Sequence, residues 1–177
     1  MILPSYFAKP PPAAPKMHFI QERCTRILKN ADPDRQHVRL WTLRTWDEER
    51  NKYLGVYIHS KVLMVDDEWM TVGSANAGNR SMGYDTEMNI SVKDPDTVSS
   101  LRHRLMSEHA RCEIPLDPTA ASDFMETIAK ANGNALEIFE DSDGEDVAGL
   151  GEPLERRLFP YRTDKRGMDF PIPAFLL

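Results

Sequence analysis

Four residues whose side chains could act together on a phosphate ester stand close to one another in the chain. His59 and Lys61 are separated by one residue, and Ser74 and Asn76 have the same spacing. A lysine ammonium can neutralise a phosphate oxygen, and a hydroxyl and a carboxamide can donate hydrogen bonds to the same group. Imidazole has an ordinary pKa near neutrality, so His59 could attack phosphorus or protonate a leaving alcohol. These residue types predict phosphodiester chemistry.

Strands are predicted on either side of a turn in this region. Residues 56–65 are mostly β-branched and aromatic, which favours a central, largely buried strand, and residues 68–74 resume the pattern after Asp66 and Asp67. Residues 86–92 alternate apolar and polar side chains, which is typical of a third strand.

A hairpin would gather the four polar side chains on one face. Side chains two residues apart on a strand point the same way, so His59 and Lys61 share a face. With a two-residue loop at the aspartate pair, His59 lies opposite Ser74 and Tyr57 lies opposite Asn76. Directly opposed Cβ atoms are ~4.5–5.5 Å apart, which is close enough for the side chains to hold one anion.

Two further charged residues are candidates for the same site. Glu87 lies on the polar face of the third strand, where it could accept the second imidazole N–H of His59 and fix the tautomer. Arg80 could contact a phosphate or head group, or it could form an ion pair with a loop carboxylate. Both interpretations of Arg80 stay open at this point.

These residues carry a resemblance to a known family. The segment His59-Ser60-Lys61-Val62-Leu63-Met64-Val65-Asp66, followed after six residues by Gly73-Ser74-Ala75-Asn76, resembles the HxKxxxxD and GSxN signature of the phospholipase D superfamily in residue types and spacing. The continuation over residues 79–87 is similar to the lipid-cleaving branch, and the resemblance covers residues 35–113. It implies an α/β fold: a mixed β-sheet flanked by helices, one lobe of an α-β-α sandwich, with an irregular C-terminal tail.

The resemblance also implies a mechanism. In this family the motif histidine is the nucleophile of one lobe and the acid/base of the other, and the reaction passes through a phosphohistidine without a metal or other cofactor. The implied catalytic and phosphate-binding residues are His59, Lys61, Ser74 and Asn76. Glu87 matches the family's histidine-orienting carboxylate. Asp66, the aspartate of the catalytic motif, resembles a structural member that holds the hairpin.

A complete site of this type uses two motifs, and this sequence contains one. None of the other histidines, His18, His37, His103 and His109, is followed two residues later by lysine. We expect the second half to come from a homodimer partner or from a missing N-terminal lobe. The similarity to the second lobe of lipid-acting members favours the missing lobe.

The function implied is that of a phospholipase D-type phosphodiesterase or phosphatidyl transferase acting on glycerophospholipids, at a membrane surface if need be. Two alternatives stay open: a nuclease-like phosphodiesterase, and a non-catalytic lobe that binds phosphate or a partner. The net charge of −6 argues against a broad nucleic-acid surface, because such binding depends on phosphate neutralisation by Lys and Arg.

Composition limits the remaining possibilities. No apolar run approaches the ~18 residues of a membrane span, and the N-terminus lacks a signal-peptide pattern. The sequence therefore indicates a soluble protein, compatible with a cytoplasmic, membrane-peripheral enzyme. Cys24 and Cys112 form no CxxC pair, so we expect neither a zinc site nor a disulfide, and each cysteine should pack as a small apolar residue.

Three segments are predicted along the chain. Residues 1–16 contain five prolines and should form an extended arm. Residues 17–133 should form the catalytic lobe, with residues 44–54 as a polar loop and a last helix that ends at Gly133. Residues 134–177 should be an acidic loop followed by an irregular tail.

Overall fold

The computed structural model describes residues 2–3, 23–34, 36–142 and 156–160. The elements in these residues are, in chain order, β1 (Ile2–Leu3), α1 (23–31), β2 (Trp41–Asp47), β3 (Lys52–Gly55), β4 (Lys61–Val65), β5 (Trp69–Gly73), α2 (Asn79–Gly83), β6 (Asn89–Lys93), α3 (Pro95–Ala110), α4 (Pro118–Asp141) and β7 (Leu158–Pro160). They form two small sheets flanked by helices, which confirms the predicted α/β class. The chain divides into two units, Met1–Tyr57 with Glu126–Leu177, and Ile58–Met125.

The first unit is built on β2. This strand pairs in parallel with β1 and antiparallel with β3 and β7. Its core is aromatic: Tyr53 contacts Phe159 at a centroid distance of 5.1 Å and Trp46 at 5.0 Å, and Trp46 also contacts Phe139 on α4. Burial raises the pKa of the Tyr53 hydroxyl, as expected for a phenol held among other rings.

Two sequence predictions fail in the first unit because tertiary contacts override the local pattern. Residues 44–54 are not a loop, since Trp46 and Tyr53 lie on β2 and β3 and pair directly across the hairpin. Gly133 does not end a helix, because α4 continues to Asp141. A Cβ at Gly133 would lie 2.9 Å from Pro160 Cγ, so this glycine lets β7 approach the helix.

Part of the tail that was predicted to be irregular forms a strand. Residues 158–160 form β7, which pairs antiparallel with β2. The buried Asn132 amide secures this strand by donating to the Leu158 carbonyl at 2.8 Å. Residues 143–155 and 161–177, and the predicted arm apart from β1, lie outside the described residues.

The second unit contains the three-stranded antiparallel sheet β4-β5-β6 and the helices α2 and α3. The side chain of Asp94 accepts a hydrogen bond from Thr97 N at 3.2 Å, and Pro95 opens α3, which confirms the predicted helix start. Val98 of α3 and Met70 of β5 are buried, and α3 contacts β5.

An ion pair braces the second unit. Arg102 Nε on α3 lies 2.7 and 2.9 Å from the two carboxylate oxygens of Asp67, in the turn between β4 and β5. Its Nη2 donates to the Leu116 carbonyl at 2.7 Å. One guanidinium therefore joins the hairpin turn, α3 and the segment that leads into α4.

The predicted burial is wrong at two other places. Strand β4 is not largely buried: Val62 is 39% exposed and Leu63 is 57% exposed. Cys24 and Cys112 are free but exposed, instead of packing as small apolar residues.

Candidate active site

The turn between β4 and β5 sets which residues face each other. Val65 pairs with Trp69, so the loop contains three residues and not the predicted two. Asp66 and Asp67 both have left-handed backbone, with φ of 52° and 53°, and Glu68 N donates to Val65 O at 3.0 Å. Positive φ at both central residues is the mark of a type I′ turn, and Glu68 is the additional residue.

The extra loop residue shifts the register by one. The sequence predicted two pairs across the hairpin, His59 with Ser74 and Tyr57 with Asn76. These pairs are wrong, because Lys61 pairs with Gly73 and the paired segments end there. The motif residues therefore lie at the end of the hairpin and in the segments just beyond it.

His59 and Lys61 are joined through the main chain. His59 is exposed and lies in the extended segment before β4, and Lys61 is the first residue of that strand. Lys61 Nζ donates to the His59 carbonyl oxygen at 2.7 Å. The ammonium is thus held beside the main chain of the motif histidine.

Glu87 is the centre of the polar contacts. One carboxylate oxygen accepts from Ser74 Oγ at 2.5 Å, and the other accepts from Ser81 Oγ at 2.6 Å. The pKa of Glu87 lies below its ordinary value, chiefly because of the Ser74 hydrogen bond, then that of Ser81, and with smaller contributions from the charges of Lys61 and Arg80. Glu87 is therefore ionised at neutral pH.

Ser74 accepts a hydrogen bond from Met88 with its side-chain oxygen, where a regular ladder would use the main-chain carbonyl. Ser74 N donates to Met88 O at 3.0 Å, as in a regular antiparallel ladder. The return bond differs, because Met88 N donates to Ser74 Oγ, also at 3.0 Å. Since the same hydroxyl donates to Glu87, its proton is already engaged and its oxygen is an acceptor.

The next residue of the loop is also held by a side chain. Ala75 N donates to Asn89 Oδ1 at 3.1 Å, and Asn89 Nδ2 donates to Thr71 Oγ1 at 3.1 Å. The Asn89 side chain passes over Gly73, where any Cβ would collide with it and with the Met88 carbonyl oxygen. Gly73 is therefore required for space.

Arg80 and Asp66 are found in roles that the sequence allowed. Arg80 lies on the short helix α2 with its side chain 78% exposed, and Nη2 is 3.0 Å from Asp85 Oδ1. The ion pair with a loop carboxylate is present, and contact with a phosphate stays a prediction. Asp66 lies in the turn, away from the polar contacts of Glu87 that are described above.

Sequence reasoning missed two members of the site, Ser81 and Asn89. Asn89 lies two residues after Glu87, on the polar face of the third strand predicted for residues 86–92, so the strand pattern contained this signal. Ser81 lies on a helix of five residues that was not predicted, so no pattern placed its hydroxyl near Glu87. The predicted contact between Glu87 and His59 stays a prediction.

Two features are absent from the described residues. No group of three or more His, Cys, Asp or Glu side chains there could hold a metal ion. Within the same residues, no helix has both the length and the apolar character that a membrane crossing requires.

Comparison with known proteins gives a consistent result. Residues 20–108 match the family model described as cardiolipin synthase, PLD-like domain. The chain is 32% identical over 108 residues to phospholipase D1 of Saccharomyces cerevisiae, covering 49% of this chain and 6% of that protein. It is 35% identical over 85 residues to phospholipase D alpha 4 of Arabidopsis thaliana (44% and 11%). It is 44% identical over 50 residues to cardiolipin synthase 1 of Staphylococcus epidermidis (28% and 10%). The matched part is thus about a tenth or less of each relative's length.

Proposed function

Since this chain belongs to the phospholipase D superfamily, we propose that it supplies half of an active site that hydrolyses or transfers phosphatidyl groups of glycerophospholipids. The observation that carries the proposal is the set of contacts around Glu87. Its carboxylate holds the Ser74 hydroxyl and senses the charge of Lys61, and Lys61 in turn holds the His59 carbonyl. The Ser74 hydroxyl is therefore in contact with an ionised carboxylate, and the Lys61 ammonium lies beside the main chain of the motif histidine.

The proposed reaction has two steps. In the first, an imidazole nitrogen of His59 forms a bond to phosphorus while the bond from phosphorus to the head-group oxygen breaks. The departing oxygen takes a proton from an acid, the motif histidine of the second half-site. In the second, water or another alcohol attacks phosphorus, that histidine takes its proton, and the bond to His59 breaks. Water gives hydrolysis, and an alcohol gives transfer.

Lys61, Ser74 and Asn76 would stabilise the phosphoryl group. The Lys61 ammonium offsets the charge on the equatorial oxygens, where such stabilisation lowers the barrier most. Asn76 is exposed in the loop after β5 and can donate from its amide. Ser74 differs, because its hydroxyl already donates a hydrogen bond to Glu87. The hydroxyl must rotate before it can donate to a phosphate.

Glu87 would orient His59 in addition to holding the two serines. A carboxylate offers about four acceptor sites, so the bonds from Ser74 and Ser81 leave room for an imidazole N–H. Arg80 would guide an anionic head group towards the site while paired with Asp85. Asp66 would act through the shape of the turn.

The other half of the site would come from a second motif. We favour an N-terminal lobe of the same protein, because the relatives are far longer than the matched segment. A two-fold dimer of this chain is the alternative source, and its interface would use the same surface patch twice.

A second candidate function rests on the single motif. Because no other histidine is followed two residues later by lysine, the chain could be a lobe that binds phosphate without turnover. Such a lobe would keep the contacts of Glu87, Ser74 and Lys61 and release no alcohol.

The test combines activity, trapping and sedimentation. The purified chain is assayed on phosphatidylcholine, bis(4-nitrophenyl) phosphate and DNA, and the reaction is quenched in base to preserve a phosphohistidine. When a second half-site is present, in a two-fold dimer or after addition of a lobe that carries the other motif, we expect alcohol release and a phosphoryl group on His59, both lost in His59→Asn and both retained in the control His37→Asn. Activity only in a two-fold dimer would identify the second copy as the missing half.

The other outcomes decide between the alternatives. Phosphate binding without turnover, even after a lobe that carries the other motif is added, supports the non-catalytic lobe. DNA cleavage that falls steeply with salt, with lipid untouched, replaces the lipid proposal with a nuclease.

A further inference from the structure

We infer that Asn89, which lies outside the recognised motif, is a positioning residue that shapes the loop carrying Ser74 and Asn76. This inference rests on the proposed function for its catalytic meaning. Its structural basis is the exchange of main-chain ladder bonds for side-chain bonds at the end of β5.

The ladder between β5 and β6 is regular up to Gly73, which pairs with Asn89. The next pair would be Ser74 with Met88, and there the bond to the Ser74 carbonyl is replaced by one to Ser74 Oγ. The next amide, Ala75 N–H, donates to the side chain of Asn89 through Oδ1. Ser74 Oγ and Asn89 Oδ1 thus each accept a main-chain amide at the end of the ladder.

This exchange turns the chain away from the sheet. A strand that continued in register would alternate the side chains of residues 74 and 76 with that of residue 75 along the sheet surface. Because Asn89 holds the Ala75 amide instead, the segment from Ser74 leaves β5 as a loop, and the loop brings Ser74 Oγ to Glu87. Asn89 therefore acts on Ser74 and Asn76 through the main chain between them.

The orientation of the Asn89 amide is fixed from two sides. Thr71 Oγ1 accepts from Nδ2, which leaves Oδ1 directed at Ala75. Gly73 provides the space in which the side chain crosses the strand, and a Cβ at that position would collide with Asn89. Thr71 and Gly73 thus select the carbonyl end of the amide for the loop.

The expected size of the effect follows from the strength of a single hydrogen bond. A net hydrogen bond of about 1 kcal/mol corresponds to a factor of about five in an equilibrium constant. Loss of the Asn89 contact should therefore raise hydrogen exchange at the Ala75 amide and weaken phosphate binding at the loop, each by roughly five- to tenfold.

The variants are Asn89→Leu, which has a similar shape and no acceptor, and Asn89→Asp, which keeps Oδ1 as an acceptor. Ser91→Ala is the matched control, on the same strand and face and paired with Thr71. Hydrogen exchange of the Ala75 amide is followed by NMR on the whole chain, and binding of inorganic phosphate is measured by titration.

We expect rapid Ala75 exchange and weak phosphate binding in Asn89→Leu. Asn89→Asp should restore Ala75 protection even where its added charge weakens phosphate binding, and Ser91→Ala should match the wild type in both. Unchanged Ala75 protection in a folded Asn89→Leu would overturn the inference. If Asn89→Leu does not fold, rapid Ala75 exchange in Asn89→Asp would overturn it as well.

Failure of the inference about Asn89 can be distinguished from failure of the proposed function. If the wild-type chain binds no phosphate while Ala75 protection still depends on Asn89, the inference about the loop stands and the proposed function is wrong.

Discussion

At the scale of single residues, the pKa of the Glu87 carboxyl is set chiefly by its hydrogen-bond partners. It accepts hydrogen bonds from two serines, one in the motif and one on α2, and its pKa is lowered chiefly by them. A substitution outside the motif can therefore change the pKa of Glu87. Ser81 is the residue through which this can be tested without changing Ser74.

Ser81→Ala should raise the pKa of Glu87 towards its ordinary value of 4.5, because one of the bonds that stabilise the ionised form is lost. A carboxylate with a depressed pKa contributes stability above the pKa of the unfolded chain and loses it as pH falls through the folded pKa. In Ser81→Ala the contribution is smaller and its loss is complete at a higher pH, because the folded pKa lies closer to that of the unfolded chain. Carbon-detected NMR titration of the Glu87 carboxyl measures the shift.

Ser91→Ala serves as the control for this titration, since Ser91 lies on β6, four residues after Glu87, and has no part in the contacts of Glu87 described above. An identical Glu87 titration in Ser81→Ala and the wild type would show that the Ser81 hydrogen bond does not determine the charge of this carboxylate.

Residue types and spacing predicted that Lys61, Ser74 and Glu87 lie near one another, and in the structure Ser74 contacts Glu87 and the charge of Lys61 lowers the pKa of Glu87. Residue types and spacing were not sufficient to assign hydrogen-bond partners. The contact of Ser74 with Glu87 depends on where β5 ends, and that position is set by Asn89 through the Ala75 amide. Nothing in the sequence spacing alone reports that exchange of bonds.

At the scale of elements, the β4–β5 turn explains why the predicted register was one residue out. An aspartate pair between two strands favours a turn, and the turn is present. The sequence does not distinguish a two-residue loop from one with an extra residue, and Glu68 is that residue. A shift of one residue changes every facing pair in a hairpin. The motif residues are therefore those that the sequence contains, but their predicted cross-strand partners were wrong.

Asp66 should tolerate asparagine and resist a β-branched residue. Its φ is 52°, a conformation that asparagine adopts readily and valine does not. We expect Asp66→Asn to keep phosphate binding and to change stability by less than ~0.5 kcal/mol, and Asp66→Val to lose about 1–2 kcal/mol. Urea unfolding and phosphate titration check both.

A structural Asp66 is distinguished from a chemical one by the first variant. If Asp66→Asn loses phosphate binding or activity as completely as Lys61→Met or His59→Asn, while remaining folded, the turn explanation of Asp66 is wrong.

Helix α4 shows a second limit of element prediction. Gly133 follows an asparagine, a pattern typical of helix ends, yet α4 runs eight residues further, to Asp141. The glycine is explained by Pro160, 2.9 Å from where a Cβ would be. Pro160 is 27 positions away in sequence, so no local pattern could reveal the contact.

Gly133→Ala should destabilise the chain by about 1–2 kcal/mol, because the overpacking against Pro160 exceeds the ~1 kcal/mol that alanine gains in a helix interior. In a Pro160→Ala background the clash is absent, and the same substitution should stabilise. A double-mutant cycle from urea unfolding measures the difference. Equal effects in both backgrounds would show that Pro160 does not constrain Gly133.

At the scale of the whole molecule, the candidate site lies within the second unit, Ile58–Met125. The aromatic core of Tyr53, Trp46, Phe139 and Phe159 lies in the first. The sequence predicted the α/β class and the start of α3, because these depend on patterns within a few residues. It did not predict β3, because residues 44–54 are polar and were assigned to a loop, and it did not predict β7 or the aromatic core, because these depend on pairing between distant segments.

The central claim is that the segments around the β4–β5 hairpin and the start of β6 present a common binding site to one phosphate. Titration of the whole chain with inorganic phosphate, followed by amide NMR, tests this most directly. We predict saturable shifts at His59, Lys61, Ser74 and Asn76 that disappear in Lys61→Met and persist in Lys93→Met, which removes an exposed lysine from the same sheet. Shifts that do not saturate at these four residues, or that survive in Lys61→Met, would contradict the account.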